Sequence, residues 1–242
     1  MIDLYKQAGL KVYLAGSDYN FRTATTSPQV VGQEMERALT NAGFDYQQVY
    51  SASQVHGKIV AYADGSQGAD FALGRYFEST DGLTTDQAGL VLMIKFADCT
   101  PILFYDPVKQ AIAMVHSGWR STVQKISHVA IQEMQNRYQS RLEDLMVYVG
   151  PSIDQDNYEV GEEVYQAFAE LGLTQSCLIK GQQAGKYHLS MVEANLALLE
   201  RAGLSLNQIQ VDDRSTYTDP DLHSARQEGS GYQLNALFVM ID

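Results

Sequence analysis

Cysteine is nearly absent from this chain: Cys99 and Cys177 are the only two in 242 residues. They could form one disulfide at most, and in a reducing compartment free thiols are the better default. Basic residues are scarce as well, 17 Lys plus Arg against 29 Asp plus Glu. The formal charge of −12 would repel a phosphate backbone, so nucleic acid is not an expected partner. A small anionic substrate stays open, because a local cluster of arginines can override the global sign. No apolar run is long enough to cross a bilayer, and Met1 to Lys6 lacks the apolar core of a signal peptide. A soluble, cytoplasmic protein without membrane contact is therefore expected.

Other absences narrow the chemistry. No repeat, low-complexity tract or linker rich in Pro, Gly and Ser divides the chain, and 45% hydrophobic content supports a real core, so residues 1–242 are expected to form one domain. There is no dinucleotide fingerprint, and Gly181 to Lys186 has the wrong spacing for a phosphate-binding P-loop. A nucleophile elbow is missing too. Five histidines, His56, His116, His128, His188 and His223, are too few to build several copper centres from imidazole. One metal ion is the most this inventory comfortably supports.

What is present concentrates between Ala97 and Arg120, a stretch that holds Cys99, His116 and the sole tryptophan, Trp119. Apolar runs at Val91–Ile94, Ile102–Tyr105 and Ala111–Val115 read as buried strands. Cys99 then falls at a strand junction and His116 at a strand end. Val123, Ile126, Ala130, Met134 and Tyr138 recur at helical spacing, with Ser121 and Gln124 placed as a capping box, which predicts a helix beginning just past Arg120.

Lys11 to Leu14 predicts an opening strand, and Ser27-Pro28 starts a helix that Gly43 ends. Residues 47–60 read as β, and 64–81, rich in Gly, Ser and Asp, as an irregular excursion. Strands are expected at Leu145–Val149, Ile209–Val211 and Ala236–Ile241, and helices from Gly161 to Gly172 and from a Ser190/Glu193 capping box to Gly203. This mixture of hairpins and helices favours a mixed α/β sheet system over a regularly alternating one.

Two histidines and a cysteine are what a catalytic zinc site needs, with a fourth position left for water or substrate. His56, Cys99 and His116 lie 43 and 17 residues apart, so only the tertiary fold could gather them; a buried cysteine beside two satisfied histidines explains the spacing equally well. The same set could hold copper with Met93 or Met114 as axial ligand. Cys99 could instead be a nucleophile with a histidine base, but the charge of the preceding Asp98 would raise its thiol pKa, which makes metal ligation the stronger use. Arg120 and Arg226 are the arginines best placed, by motif position, to bind an anion, although on the residues alone solvated surface guanidiniums are the more ordinary reading of both.

Six blocks in fixed order carry a resemblance: Gln54-Val55-His56-Gly57, Asp81-Gly82-Leu83-Thr84-Thr85, Ala97-Asp98-Cys99-Thr100-Pro101, His116-Ser117-Gly118-Trp119-Arg120, Gly150-Pro151-Ser152-Ile153 and Tyr158-Glu159-Val160-Gly161. The chain resembles the laccase-domain family, whose members go under the names polyphenol oxidase, purine nucleoside phosphorylase and peptidoglycan editing factor. The resemblance implies a layered α/β/β/α sandwich with mixed sheets and a single zinc, alternatively copper, on His56, Cys99 and His116. It implies a purine nucleoside phosphorylase and adenosine deaminase acting on adenosine, inosine, guanosine and methylthioadenosine. Cys99, His116, Asp98 and Arg120 would be catalytic, and Arg226, Ser224 and Thr85 would contact the nucleoside and phosphate. Alternatives within the resemblance are an amidase that edits a cell-wall precursor, a copper-dependent phenol oxidase, and a metal-binding protein without catalysis. The C-terminal part departs from the family pattern: Ser215-Thr216 stands for a Cys-Thr pair, Leu222 to Gln227 keeps only the serine and first arginine of a Phe-Ser-Tyr-Arg-Arg run, and Gly231-Tyr232 replaces Gly-Arg. Two guanidiniums are thereby lost, which weakens the expected anion binding.

Overall fold

The computed structural model describes residues 3–242; Met1 and Ile2, part of the stretch read for a signal peptide, lie outside the described residues. The chain opens with β1 (Leu10–Ala15) and α1 (Pro28–Asn41), followed by β2 (Gln48–Ala52), β3 (Val60–Tyr62), β4 (Ala69–Phe71), β5 (Gly74–Phe77) and β6 (Gly82–Thr85). Three seven-residue strands make the centre: β7 (Leu90–Phe96), β8 (Thr100–Asp106) and β9 (Ala111–Ser117). Then come α2 (Trp119–Val123), α3 (Ile126–Tyr138), β10 (Met146–Val149), β11 (Glu159–Gly161), α4 (Glu162–Glu170), α5 (Thr174–Cys177), β12 (Leu178–Lys180) and β13 (Lys186–Leu189). The chain closes with α6 (Met191–Arg201), β14 (Ile209–Val211), α7 (Ala225–Glu228) and β15 (Asn235–Ile241).

Two six-stranded mixed sheets result, in the orders β1-β15-β7-β2-β5-β4 and β14-β10-β8-β9-β6-β3, with a small third sheet β11-β13-β12. The central strands are buried on both faces, which is why they read as continuous apolar runs rather than as alternation. On β7, Leu92, Ile94 and Phe96 meet Leu103, Tyr105, Ile112 and Met114 of the second sheet in a shared apolar layer. Val91 and Met93 point the other way, onto α1, as a period of two requires. The outer face of the second sheet, with Phe104, Ala113 and Val147, is covered by α3 and α6. Helix, sheet, sheet and helix are thus stacked in the layered arrangement that the resemblance implies, each fully buried Leu, Ile or Phe adding roughly 1.5–3 kcal/mol of transfer free energy. Met93 and Met114 are spent on these apolar layers. No helix among the described residues is long and apolar enough to cross a membrane.

Several local expectations need correction. Residues 64–81 are not wholly irregular, since they contain β4 and β5, and β5 pairs with β2 inside the first sheet. The composition hid them because Gly74 is required by the pairing: a Cβ there would lie 2.0 Å from the Val49 carbonyl oxygen. The helix after Arg120 comes in two pieces. α2 starts at Trp119 behind Gly118, with no side-chain cap, and Lys125 in the left-handed region (φ 61°) separates it from α3. Ser121 is therefore no cap, and its buried hydroxyl has no hydrogen-bond partner among the described residues. Gln124 spans the gap instead, donating to the carbonyl oxygens of His56 and Arg120. The Ser190 cap does form, accepting from the Glu193 backbone N–H.

Candidate metal centre

Three connections cross from the first sheet to the second at one rim: β2 to β3, β5 to β6 and β7 to β8. His56 lies in the first crossing, Asp81 closes the second, and Cys99 ends the third. His116 sits at the end of β9, two residues beyond Met114 and so on the strand face that meets the inter-sheet layer. The crossings are tight, with His56 at φ 59° and Asp98 at φ 80°, a left-handed region that few L-residues enter and that Asp and His enter more readily than most.

Asp81 is the holder. Fully buried, it accepts from the backbone N–H groups of Val55 (3.0 Å), His56 (2.9 Å) and Gly57 (2.7 Å) and from His116 Nδ1 (3.0 Å). Burial would raise its pKa, but the His116 hydrogen bond and the backbone donors more than offset this and hold the carboxyl below its ordinary range. One carboxylate thus fixes the loop carrying His56 and the tautomer of His116, leaving His116 Nε2 free to face the other two side chains.

The ligand atoms of His56, Cys99 and His116 all lie within 4.8 Å of one another. Cys99 Sγ is 3.7 Å from His56 Nε2, and the two imidazole rings meet edge to face with centroids 4.9 Å apart. Burial works against a charged Cys99, yet the charges and hydrogen bonds of His116 and His56 bring its pKa down to about 6. Burial likewise disfavours a charged His116, and Cys99 and Asp81 overcome it, raising the imidazole to about 9. Gly118 closes the site from the side of α2: a Cβ there would lie 2.6 Å from His56 Cδ2 and 2.8 Å from Cys99 Sγ. One ready thiolate and two imidazoles, one braced by a carboxylate, form a donor set that fits a single borderline-soft divalent cation. Among the described residues this is the one such group. His128 lies on α3, His188 bonds to the Gln155 carbonyl, and His223 to Glu228 and the Tyr19 carbonyl.

A cavity of about 240 Å³ opens on the triad and is lined also by Thr23, Gln54, Lys95 and Tyr232. A second, larger cavity, the mouth, of about 410 Å³, is lined by Asp98, Trp119, Arg120, Tyr158, Arg226 and Tyr232, together with His56 and Cys99. The structure thus brings Arg120 and Arg226 to the triad. Arg120 lies over the Trp119 ring at 4.2 Å, and Arg226 lies near Tyr158 and donates to the Glu159 carbonyl oxygen. Asp98 reaches the same place with its oxygens already taken, accepting from Thr216 Oγ1 (2.8 Å) and the Arg226 backbone N–H (2.7 Å). It positions the 215–226 loop. Ser215, in turn, hydrogen-bonds Asp154.

Two expected substrate contacts are not brought to the site. Thr85 is buried at the far end of β6, paired with Ile112 rather than with the His116 end of β9, and its hydroxyl donates to the Ala63 carbonyl oxygen. Ser224 is buried as the N-cap of α7, accepting from Gln227 N–H. Both hydroxyls serve backbone groups in the structure. Asp81 and Lys95 received no role from the sequence, although Asp81 stands within a quoted block. Neither Met93 nor Met114 lines the cavities beside the triad. Both cysteines are free.

Together these features define a class: a layered α/β protein with a candidate two-histidine, one-cysteine metal centre at the rim where its sheets exchange strands. Residues 14–241 match the family described as multi-copper polyphenol oxidoreductase laccase, and the chain belongs to that family. Among its relatives, the protein named purine nucleoside phosphorylase from Bacteroides thetaiotaomicron is 36% identical over 163 residues, covering 66% of this chain and 60% of that protein. The protein named adenosine deaminase RL5, from an unknown prokaryotic organism, is 33% identical over 154 residues, 63% of this chain and 58% of that protein. The chain spans about three fifths of the length of these curated relatives. The crystal structure of the Bacillus licheniformis hypothetical protein YfiH shares the fold, with a TM-score of 0.88 over 96% of this chain and 93% of that one at 24% identity.

Proposed function

We propose that the protein is a zinc-dependent purine nucleoside phosphorylase of the cytoplasm, acting on adenosine, inosine, guanosine and methylthioadenosine, with adenosine deamination as a second reaction of the same site. The observation that carries this reading is the convergence of His56, Cys99 and His116 within 4.8 Å, with two cavities opening beside them. The relatives' names supply the reaction class. Zinc on these three residues would supply Lewis acidity at the floor of the cleft.

In phosphorolysis a phosphate oxygen bonds to the ribose anomeric carbon as the bond from that carbon to the purine nitrogen breaks. The electron pair leaves with the base, which then takes a proton. The protein's part is to position phosphate and sugar and to stabilise the charge that develops. Arg120 and Arg226 in the mouth supply positive potential against the charge that develops, and Lys95 supplies it in the inner cavity, in spite of the acidic chain. Asp81 keeps the ligand geometry, and Asp98 keeps Arg226 in place. Deamination is favoured by the relative named adenosine deaminase.

Purified protein of known metal content, given adenosine with and without phosphate, tests the proposal by chromatography of adenine, inosine and hypoxanthine. Adenine formed only with phosphate supports phosphorolysis, and inosine formed without it supports deamination. No turnover with zinc at one equivalent refutes both. Oxygen uptake with a phenol and copper would support oxidation instead.

A further inference from the structure

Lys95 is the next-to-last residue of β7, and the period of the strand sets its direction. Leu92, Ile94 and Phe96 take the inter-sheet face, so Lys95 shares the α1 face with Val91 and Met93. Its backbone is clamped by the Gln54 side chain, which donates to its carbonyl oxygen (2.6 Å) and accepts from its N–H (3.0 Å). Its ammonium has no hydrogen bond or ion pair among the described residues. Burial alone brings its pKa down to about 8, so it remains mostly protonated at neutral pH.

Two cavities meet at this side chain. The one of about 240 Å³ reaches His56, Cys99 and His116, and another of about 320 Å³ is walled by Pro28, Phe71 and Tyr76. They share Thr23, Ala52, Ser53 and Lys95. In a chain with 29 acidic residues, no Asp or Glu lines either cavity. The hydroxyls of Thr23 and Ser53 make no hydrogen bond to protein among the described residues and remain available as donors. The mouth is different in kind: Asp98 lines it, and Arg226 already donates to Glu159.

A partly desolvated ammonium with no counter-charge is unfavourable by itself, and an anion that enters the cavity relieves it. We propose that Lys95 anchors phosphate in this cleft, its Nζ and the Thr23 and Ser53 hydroxyls holding the tetrahedral oxyanion while the mouth arginines do not. The identity of the anion rests on the phosphorylase reading; the existence of the anion site does not. Its oxygen would be presented toward the triad side, to form the bond to the anomeric carbon as the bond to the base breaks.

Calorimetric titration of inorganic phosphate into the zinc-loaded protein, without nucleoside, tests this directly. Wild type binds, Lys95→Met binds roughly tenfold to a hundredfold more weakly with its zinc content unchanged, and an Arg120→Gln/Arg226→Gln double variant stays within about threefold of wild type. In turnover, the KM for phosphate rises in Lys95→Met by the same factor while that for the nucleoside holds. Phosphate binding that is undetectable in wild type, equal in Lys95→Met, or lost in the arginine variant instead overturns the proposal. Lys95-dependent phosphate binding without nucleoside turnover would sink the phosphorylase reading and leave the anion site standing. If Lys95→Met does not fold, the wild-type protein still decides: phosphate must slow acylation of Lys95, followed by peptide mass, and an unprotected Lys95 overturns the assignment.

Discussion

Asp81→Asn removes one charge and changes no volume, yet it should disable the centre. In the native protein Oδ1 accepts from His56 N–H and His116 Nδ1, and Oδ2 accepts from the Val55 and Gly57 N–H groups. An asparagine keeps one of these oxygens and turns the other into an NH2 that faces two donors. Two charge-assisted hydrogen bonds are lost whichever way the amide is turned, each worth about 1.5–3 kcal/mol, so the expected destabilisation is about 3–6 kcal/mol. That is a large share of the total stability of an ordinary domain. The loop bearing His56 loosens and the His116 tautomer is no longer imposed, which should weaken metal affinity roughly 10- to 100-fold. Urea unfolding would give the first number and competition with a zinc chelator the second. An Asp81→Asn protein within 1 kcal/mol of wild-type stability (~1 kcal/mol being the usual cost of one ordinary hydrogen bond) and with unchanged zinc affinity would show that this carboxylate does not organise the site.

The other expectations concern the ligands themselves. Gly118→Ala should fold normally, since φ is −76° there, but should lose metal, because the new methyl group displaces His56 and Cys99; full zinc occupancy by elemental analysis would contradict the close approach. In metal-free protein, Cys99 should react with iodoacetamide with a midpoint near pH 6, whereas Cys177, whose thiol burial pushes up to about 12, stays inert. A midpoint for Cys99 near an ordinary thiol value would remove the pairing with His116. The same pair makes metal-free stability depend on pH. His116, raised to about 9 from 6.5, contributes fully below its unfolded value and loses its contribution as pH rises through about 9. Cys99, lowered to about 6 from 9.0, contributes fully above its unfolded value and loses its contribution as pH falls through about 6. Each shift is caused largely by the other group's charge, so the pair contributes only while thiolate and imidazolium coexist. Relative to Cys99→Ser, wild-type stability without metal should therefore peak between about pH 6 and pH 9, and a difference flat from pH 5 to pH 10 would refute the coupling.

Local pattern revealed much of the frame. The strands around Cys99 and His116 were legible because their residues are buried on both faces, and burial writes itself into an apolar run. Residues 69–77 were illegible because the Gly, Ser and Asp of 64–70 and 79–82 and the Gly74 that strand pairing requires mask the short apolar pieces Phe71–Leu73 and Tyr76–Phe77. The Ser121/Gln124 pair had the spacing of a cap, but the helix begins two residues earlier and Gln124 answers to a carbonyl 68 residues away. Thr85 and Ser224 were expected at the site from motif blocks, yet a hydroxyl can serve backbone as readily as substrate, and only coordinates show which.

By itself, then, the sequence determined the inventory: one cysteine and two histidines able to hold a cation, an acidic surface, and long apolar strands that must be covered on both sides. The tertiary structure alone decided that three sheet-to-sheet crossings share a single rim, that a buried aspartate ties two of the ligands together, and that a lysine stands between two cavities without a counter-ion among the described residues. Side-chain periodicity reports which face of a strand is dry, a short-range property. Which residues meet across crossings tens of residues apart depends on how the strands pair, and no local pattern records that.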